Sequence, residues 1–77
     1  MNKERRNRLT SIAEQISVLI DEAQEICEEE QDAFNNMPEG LQQGERGQLM
    51  EQAVTTIETA VEGLEQAKYA IEEITNE

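Results

Sequence analysis

The chain has 77 residues, 18 acidic and 6 basic, for a net charge of −12; 36% is hydrophobic, with one Phe, one Tyr and no His. One small domain over residues 1–77 is expected, and so acidic a surface disfavours nucleic acid and anionic lipid as partners. A single cysteine, Cys27, rules out an internal disulfide and suits a reducing cytoplasm, and no stretch has the length or apolarity of a membrane span or a signal-peptide core.

The start is basic: Lys3, Arg5, Arg6 and Arg8 stand against a lone Glu4 within residues 1–8. A regular series follows. Leu9, Ile12, Ile16, Leu19, Ala23 and Ile26 alternate steps of three and four, and the series continues through Glu30 to Ala33 and Met37. Only an α-helix lines such positions up. A second column, Ala13, Ile20, Cys27 and Phe34, runs beside it at seven-residue intervals. The apolar face is therefore three columns wide, broader than a two-stranded seam. This pattern predicts a first helix over residues 4–35.

Turn-forming residues then gather in Asn35-Asn36-Met37-Pro38-Glu39-Gly40. Pro38 disfavours helix at Met37, and Asn36 suits a left-handed cap. Pro38 can also open a short turn through Leu41 and Gln42. Gly44 sits where an N-cap belongs, with Glu45 in the first turn. A hinge over residues 36–44 follows.

Four heptads close the chain, opening on Met50, Ile57, Leu64 and Ile71, with Ala53/Val54, Ala60/Val61, Ala67 and Ile74 three or four places on. They predict a second helix over residues 45–75. Equal lengths and a short link give an all-α fold, an antiparallel two-helix hairpin of coiled-coil type. In it Arg5, Arg6 and Arg8 are expected beside Glu72, Glu73 and Glu77, unless they stand solvated or hold an anion.

Pairing the central columns is expected to leave flanks near the hinge: Ile20, Cys27 and Phe34 on one helix, Leu49, Val54 and Val61 on the other. A chain this short struggles to bury a sufficient core alone. Dimerisation into a four-helix bundle, or docking on a foreign protein, is the expected remedy. The column Leu49, Thr56, Gly63, Ala70 is mostly small and invites close approach.

Chemistry finds little support. Glu14, Asp21 and Glu28 form one acidic column and Glu51, Glu58, Glu65 and Glu72 another. Their pitch of about 10.5 Å does not match the ~3.4 Å phosphate repeat of a DNA strand, so they read as solvated faces. The run Glu28–Asp32 lacks the turn and glycine of a calcium loop. Within it, Glu30 falls on the apolar stripe, where it ends the tight packing or meets Arg46. Without His, no di-iron site of the Glu-x-x-His kind forms, and nucleophilic catalysis lacks an adjacent base and an oxyanion site. Cys27 reads as a buried, inert thiol, and Tyr69 as an exposed side chain or an interface anchor. No catalytic residue, metal ligand or cofactor is expected.

From Glu28 onward the chain resembles small acidic proteins encoded by tailed phages and prophages. The shared elements are the acidic segment, Ala33-Phe34-Asn35-Asn36-Met37-Pro38-Glu39, Leu41-Gln42, Glu45-Arg46-Gly47 and the Glu-rich heptads. Gly40 and Gly44 stand where such hinges often carry Ser. The resemblance implies a phage or prophage origin and an intracellular setting, and carries no functional residues with it.

The expected function is non-enzymatic binding: a small phage accessory factor, itself a homo-oligomer, that sequesters or inhibits a host protein, with anti-defence activity as one form. Phe34, Met37, Leu41, Val54 and Val61 are the expected contact residues. Two alternatives stand beside it. One is a self-assembling structural or scaffolding bundle of a phage. The other is an oligomeric sponge for a nucleotide signal, with Arg5, Arg6 or Arg8 holding the phosphates.

Overall fold

The computed structural model describes residues 1–76. Two long helices, α1 (Lys3–Asn35) and α3 (Glu45–Thr75), flank a single turn, α2 (Glu39–Gln42). They form an all-helical hairpin whose Cα atoms span 58 × 14 × 13 Å.

The start of α1 is capped by Asn2, whose Oδ1 accepts from the Arg5 N–H at 2.8 Å. That satisfies one of the four donors a helix N-terminus leaves open. At its other end Asn36 is right-handed (φ −87°, ψ −3°); its N–H donates to Asp32 O and the Met37 N–H donates to Phe34 O. The left-handed cap expected at Asn36 is not formed. The reversal is made by Pro38 (φ −55°, ψ 143°), an extended residue whose carbonyl accepts from the N–H groups of Leu41 (2.9 Å) and Gln42 (3.1 Å). Two right-handed stops, Asn36 and Gln43, one extended proline and one extra turn reverse the chain with no positive φ at any described residue.

Two further contacts lock the hinge. Gln42 Nε2 donates to the Phe34 carbonyl at 2.9 Å, which satisfies an acceptor at the end of α1 and ties α2 to it. Gly47, buried in the first turn of α3, lies so close to α2 that a Cβ there would collide with the Gln42 backbone. Only glycine permits that approach. Gly44, extended at φ −80°, ψ −179°, occupies the N-cap of α3.

Buried and half-buried residues trace one heptad on each helix. On α1 they include Arg6, Leu9, Ala13, Ile16, Ile20, Ala23, Cys27, Glu30 and Phe34, with Met37 continuing the series just past its end; on α3 they include Gly47, Met50, Val54, Ile57, Val61, Leu64, Lys68, Ile71 and Thr75. Each set alternates steps of three and four, the spacing of knobs-into-holes packing. Ala13, Ile20, Val54 and Val61 are the most buried, at 5–8% exposure.

The seam corrects the expected one. The column Ala13, Ile20, Cys27, Phe34 joins the centre of the hairpin, while Ile12, Leu19 and Ile26 are left 45%, 50% and 55% exposed. On α3, Val54 and Val61 turn inward and the alanine column turns out. A three-column face admits two seams, related by rotating both helices toward one flank. This one buries two valines instead of Ala53 and Ala60, and partly covers the chain's only Phe. Leu49, expected in the open, is 58% exposed.

The seam is apolar near the hinge apart from the half-buried Glu30, and mixed near the termini, where Arg6, Ser17, Lys68 and Thr75 enter it or flank it. Thr10 and Ser17 turn their hydroxyls back to the carbonyls of Arg6 (3.0 Å) and Ala13 (3.2 Å). These bonds satisfy the hydroxyls locally without linking the two helices.

Candidate functional site

In an antiparallel pair, residues that follow the seam columns on both helices face one side, and residues that precede them face the other. The hairpin thus has two flanks. On the first, Thr10, Ser17, Gln24 and Gln31 of α1 face Glu51, Glu58, Glu65 and Glu72 of α3. Two grooves confirm this sidedness. Gln24, Cys27 and Glu28 share one with Glu58, Val61, Glu62 and Glu65; Thr10, Ala13, Glu14 and Ser17 share the other with Lys68, Glu72, Thr75 and Asn76.

Cys27 opens onto this acidic flank. Its Sγ lies 3.7 Å from the Val54 carbonyl, to which it donates across the seam. Burial pushes its pKa above the ordinary 9.0, and the Glu58 and Glu28 carboxylates add to the rise. The thiolate is the nucleophile, so the half-buried thiol is held in its unreactive form. The expected inertness has an electrostatic cause as well as a steric one.

The second flank carries Ile12, Leu19, Ile26 and Ala33 of α1 with Ala53, Ala60, Ala67 and Ile74 of α3. None of these eight residues is charged. The neighbouring α3 column, Leu49, Thr56, Gly63 and Ala70, is also uncharged, so the apolar surface continues around α3.

The expected contact residues fall into two groups. Leu41, on α2, is 58% exposed, and Phe34 and Met37 are half-buried at the same end of the molecule. Val54 and Val61, at 7% and 6% exposure, are core and offer a partner nothing while the hairpin is closed. From their place in the sequence the flank residues Ile12, Leu19 and Ile26 read as seam. Their true place shows only once the helices' rotation is known.

Arg5 and Arg8 line a shallow concavity with Met1, Leu9 and Ile12 at the open end. Arg6 is turned into the seam: Nη2 donates to the Met1 carbonyl at 3.4 Å, and Nε is buried with no hydrogen-bond partner among the described residues. Its expected carboxylate pairing with Glu72 or Glu73 does not form, and Glu77 lies outside the described residues. The three arginines therefore do not converge on one point. Lys68 instead lies 6.0 Å from the centroid of the Tyr69 ring, an exposed cation–π contact.

Sequence reasoning missed the role of Gly47 and Gln42. Their signal was a glycine on the seam heptad one turn into a helix, with a long amide one turn before that helix begins. Among the described residues no group of three His, Cys, Asp or Glu side chains is placed to hold a metal ion, and no helix is long and apolar enough to cross a membrane. No family model, curated protein or solved structure matches the chain.

Proposed function

We propose that the chain is a non-enzymatic binding protein: a small phage accessory factor that works as a homo-oligomer, built as a four-helix bundle, and sequesters or inhibits a host protein. One observation carries this reading. Nine large hydrophobic side chains are at least 43% exposed, whereas four hydrophobic residues make the core. A surface with more grease outside than inside is one built to be covered.

Two parts of the surface divide the work. The apolar flank serves self-association. The hinge end, where Leu41 stands out with Phe34 and Met37 behind it, serves the host protein. A rigid apex suits that role, because the Gln42–Phe34 bond and the Gly47 contact fix its shape before a partner arrives. The phage setting rests on the resemblance of the hinge run. In a bacterial lysate the tagged chain is expected to retain a specific host protein, and Leu41→Glu is expected to lose it. Retention of nothing above background, or equal retention by Leu41→Glu, would count against the proposal.

A further inference from the structure

We infer that the flank of Ile12, Leu19 and Ile26 with Ala53, Ala60 and Ala67 is covered by a second copy of this chain, with both hinges at the same end of the bundle and α1 of each copy seated on α3 of the other. The inference rests on the self-association proposed above and names its face, its occupant and its orientation.

Area is the first argument. The hairpin exposes 5847 Å², roughly 1,000 Å² more than the ~4,800 Å² typical of a compact monomer of its mass. A face 58 Å long and 14 Å wide is on the order of 800 Å², the share each partner contributes to a standard interface. The surplus and the face are of one size.

Shape is the second. The shared grooves set Thr10–Ser17 level with Lys68–Asn76 and Gln24–Glu28 level with Glu58–Glu65. Interpolating, Leu19 stands level with Ala67 and Ile26 with Ala60. The flank is thus a large column beside a small one. Two such faces meet in two ways about a two-fold axis. An axis across the helices sets large on large and alanine on alanine, leaving a wedge. An axis along the helices sets Leu19 against the second copy's Ala67 and Ile26 against its Ala60, and the gap closes evenly. Gly63, on the adjoining small column, has open space where its Cβ would be. The hairpin gives no steric reason for a glycine there, whereas a closely packed second helix does.

Charge is the third, and it is compatible with the same axis. With hinges together, the start of α1 in one copy lies beside the end of α3 in the other. Arg5 and Arg8, exposed in the hairpin beside Ile12, then approach Glu73 of the second copy. The basic start, which forms no ion pair among the described residues, meets a carboxylate across the interface. The acidic flank faces outward in both copies.

Two measurements on the purified chain test this. Sedimentation equilibrium over a wide concentration range is expected to give twice the 8.8 kDa chain mass. Leu19→Glu with Ile26→Glu is expected to raise the dissociation constant by more than about 100-fold, while Glu51→Gln on the acidic flank leaves the mass unchanged. Because the double variant can also lose helix, orientation is read separately. Spin labels at Gln43→Cys, in a Cys27→Ala background, are expected within roughly 30 Å of each other, given interaxial distances of 8–10 Å. A wild-type chain that stays monomeric overturns the self-association itself. A dimer indifferent to Leu19→Glu with Ile26→Glu, or one whose labels lie near the 58 Å length of the molecule, leaves self-association standing and overturns this face or this orientation.

Discussion

The two flanks of the hairpin share both helices and differ by one heptad column on each. One reads Thr, Ser, Gln, Gln opposite four glutamates, and the other reads Ile, Leu, Ile, Ala opposite Ala, Ala, Ala, Ile. Neither is the core. The difference teaches that helical amphipathicity is not one decision here but two. One stripe closes the hairpin, and a second, a single residue away, is apolar with nothing inside the chain to cover it. An acidic column on the far side keeps the molecule from being sticky all round.

The contrast can be broken most severely by erasing the acidic flank. Glu58→Leu with Glu65→Leu gives the hairpin two apolar faces on opposite sides. Closed association then has no reason to stop at two, and light scattering is expected to show mass that grows with concentration without a plateau. The hinge is the next lever, since it fixes how α3 is rotated and hence which column faces which side. Gly47→Ala drives a methyl into the Gln42 backbone and is expected to cost about 1–3 kcal/mol, read as a lower urea midpoint.

Cys27 reports the electrostatics of the acidic flank. Its thiol is raised by burial, then by Glu58 and Glu28, so Glu58→Gln is expected to lower its pKa and speed its reaction with a disulfide reagent several-fold at pH 8. The sign for stability follows. A folded pKa above the ordinary 9.0 means the fold favours the neutral thiol. Its contribution is fully present below pH 9 and is lost as the pH rises through the folded value. Thermal melts of the wild type are expected to fall more steeply above pH 9 than those of Cys27→Ala. The smallest effect has the opposite sign to Gly47→Ala. Gly40 has open space around it and no positive φ, so Gly40→Ala is expected to stabilise by about 0.5–1 kcal/mol.

Much of this architecture was legible in the residues. Alternating steps of three and four fix helix, and the Asn36–Gly44 cluster fixes where it breaks, because both signals are local. The turn opened by Pro38 was also readable. The choice between Ala13, Ile20, Cys27, Phe34 and Ile12, Leu19, Ile26 as the buried column was not. Both are apolar, and the choice depends on the relative rotation of two helices whose touching residues are distant in sequence, 27 positions in the Cys27–Val54 contact. For the same reason Val54 and Val61 read as available surface until their partner column was known. The cap at Asn36 was misread because one left-handed residue and an extra helical turn are equivalent ways to reverse a chain, and composition does not separate them.

The uneven seam also sets an order of events. Contacts beside the hinge enclose only a few residues of chain, so they form at the least entropic cost and need wait for nothing else. From there the two rods zip toward the open end, where Arg6 and Lys68 offer the weakest reward for closing. Amide exchange is then expected to be slowest around Cys27 and Val54 and to quicken step by step toward both tails, the molecule breathing like tweezers whose pivot never lets go.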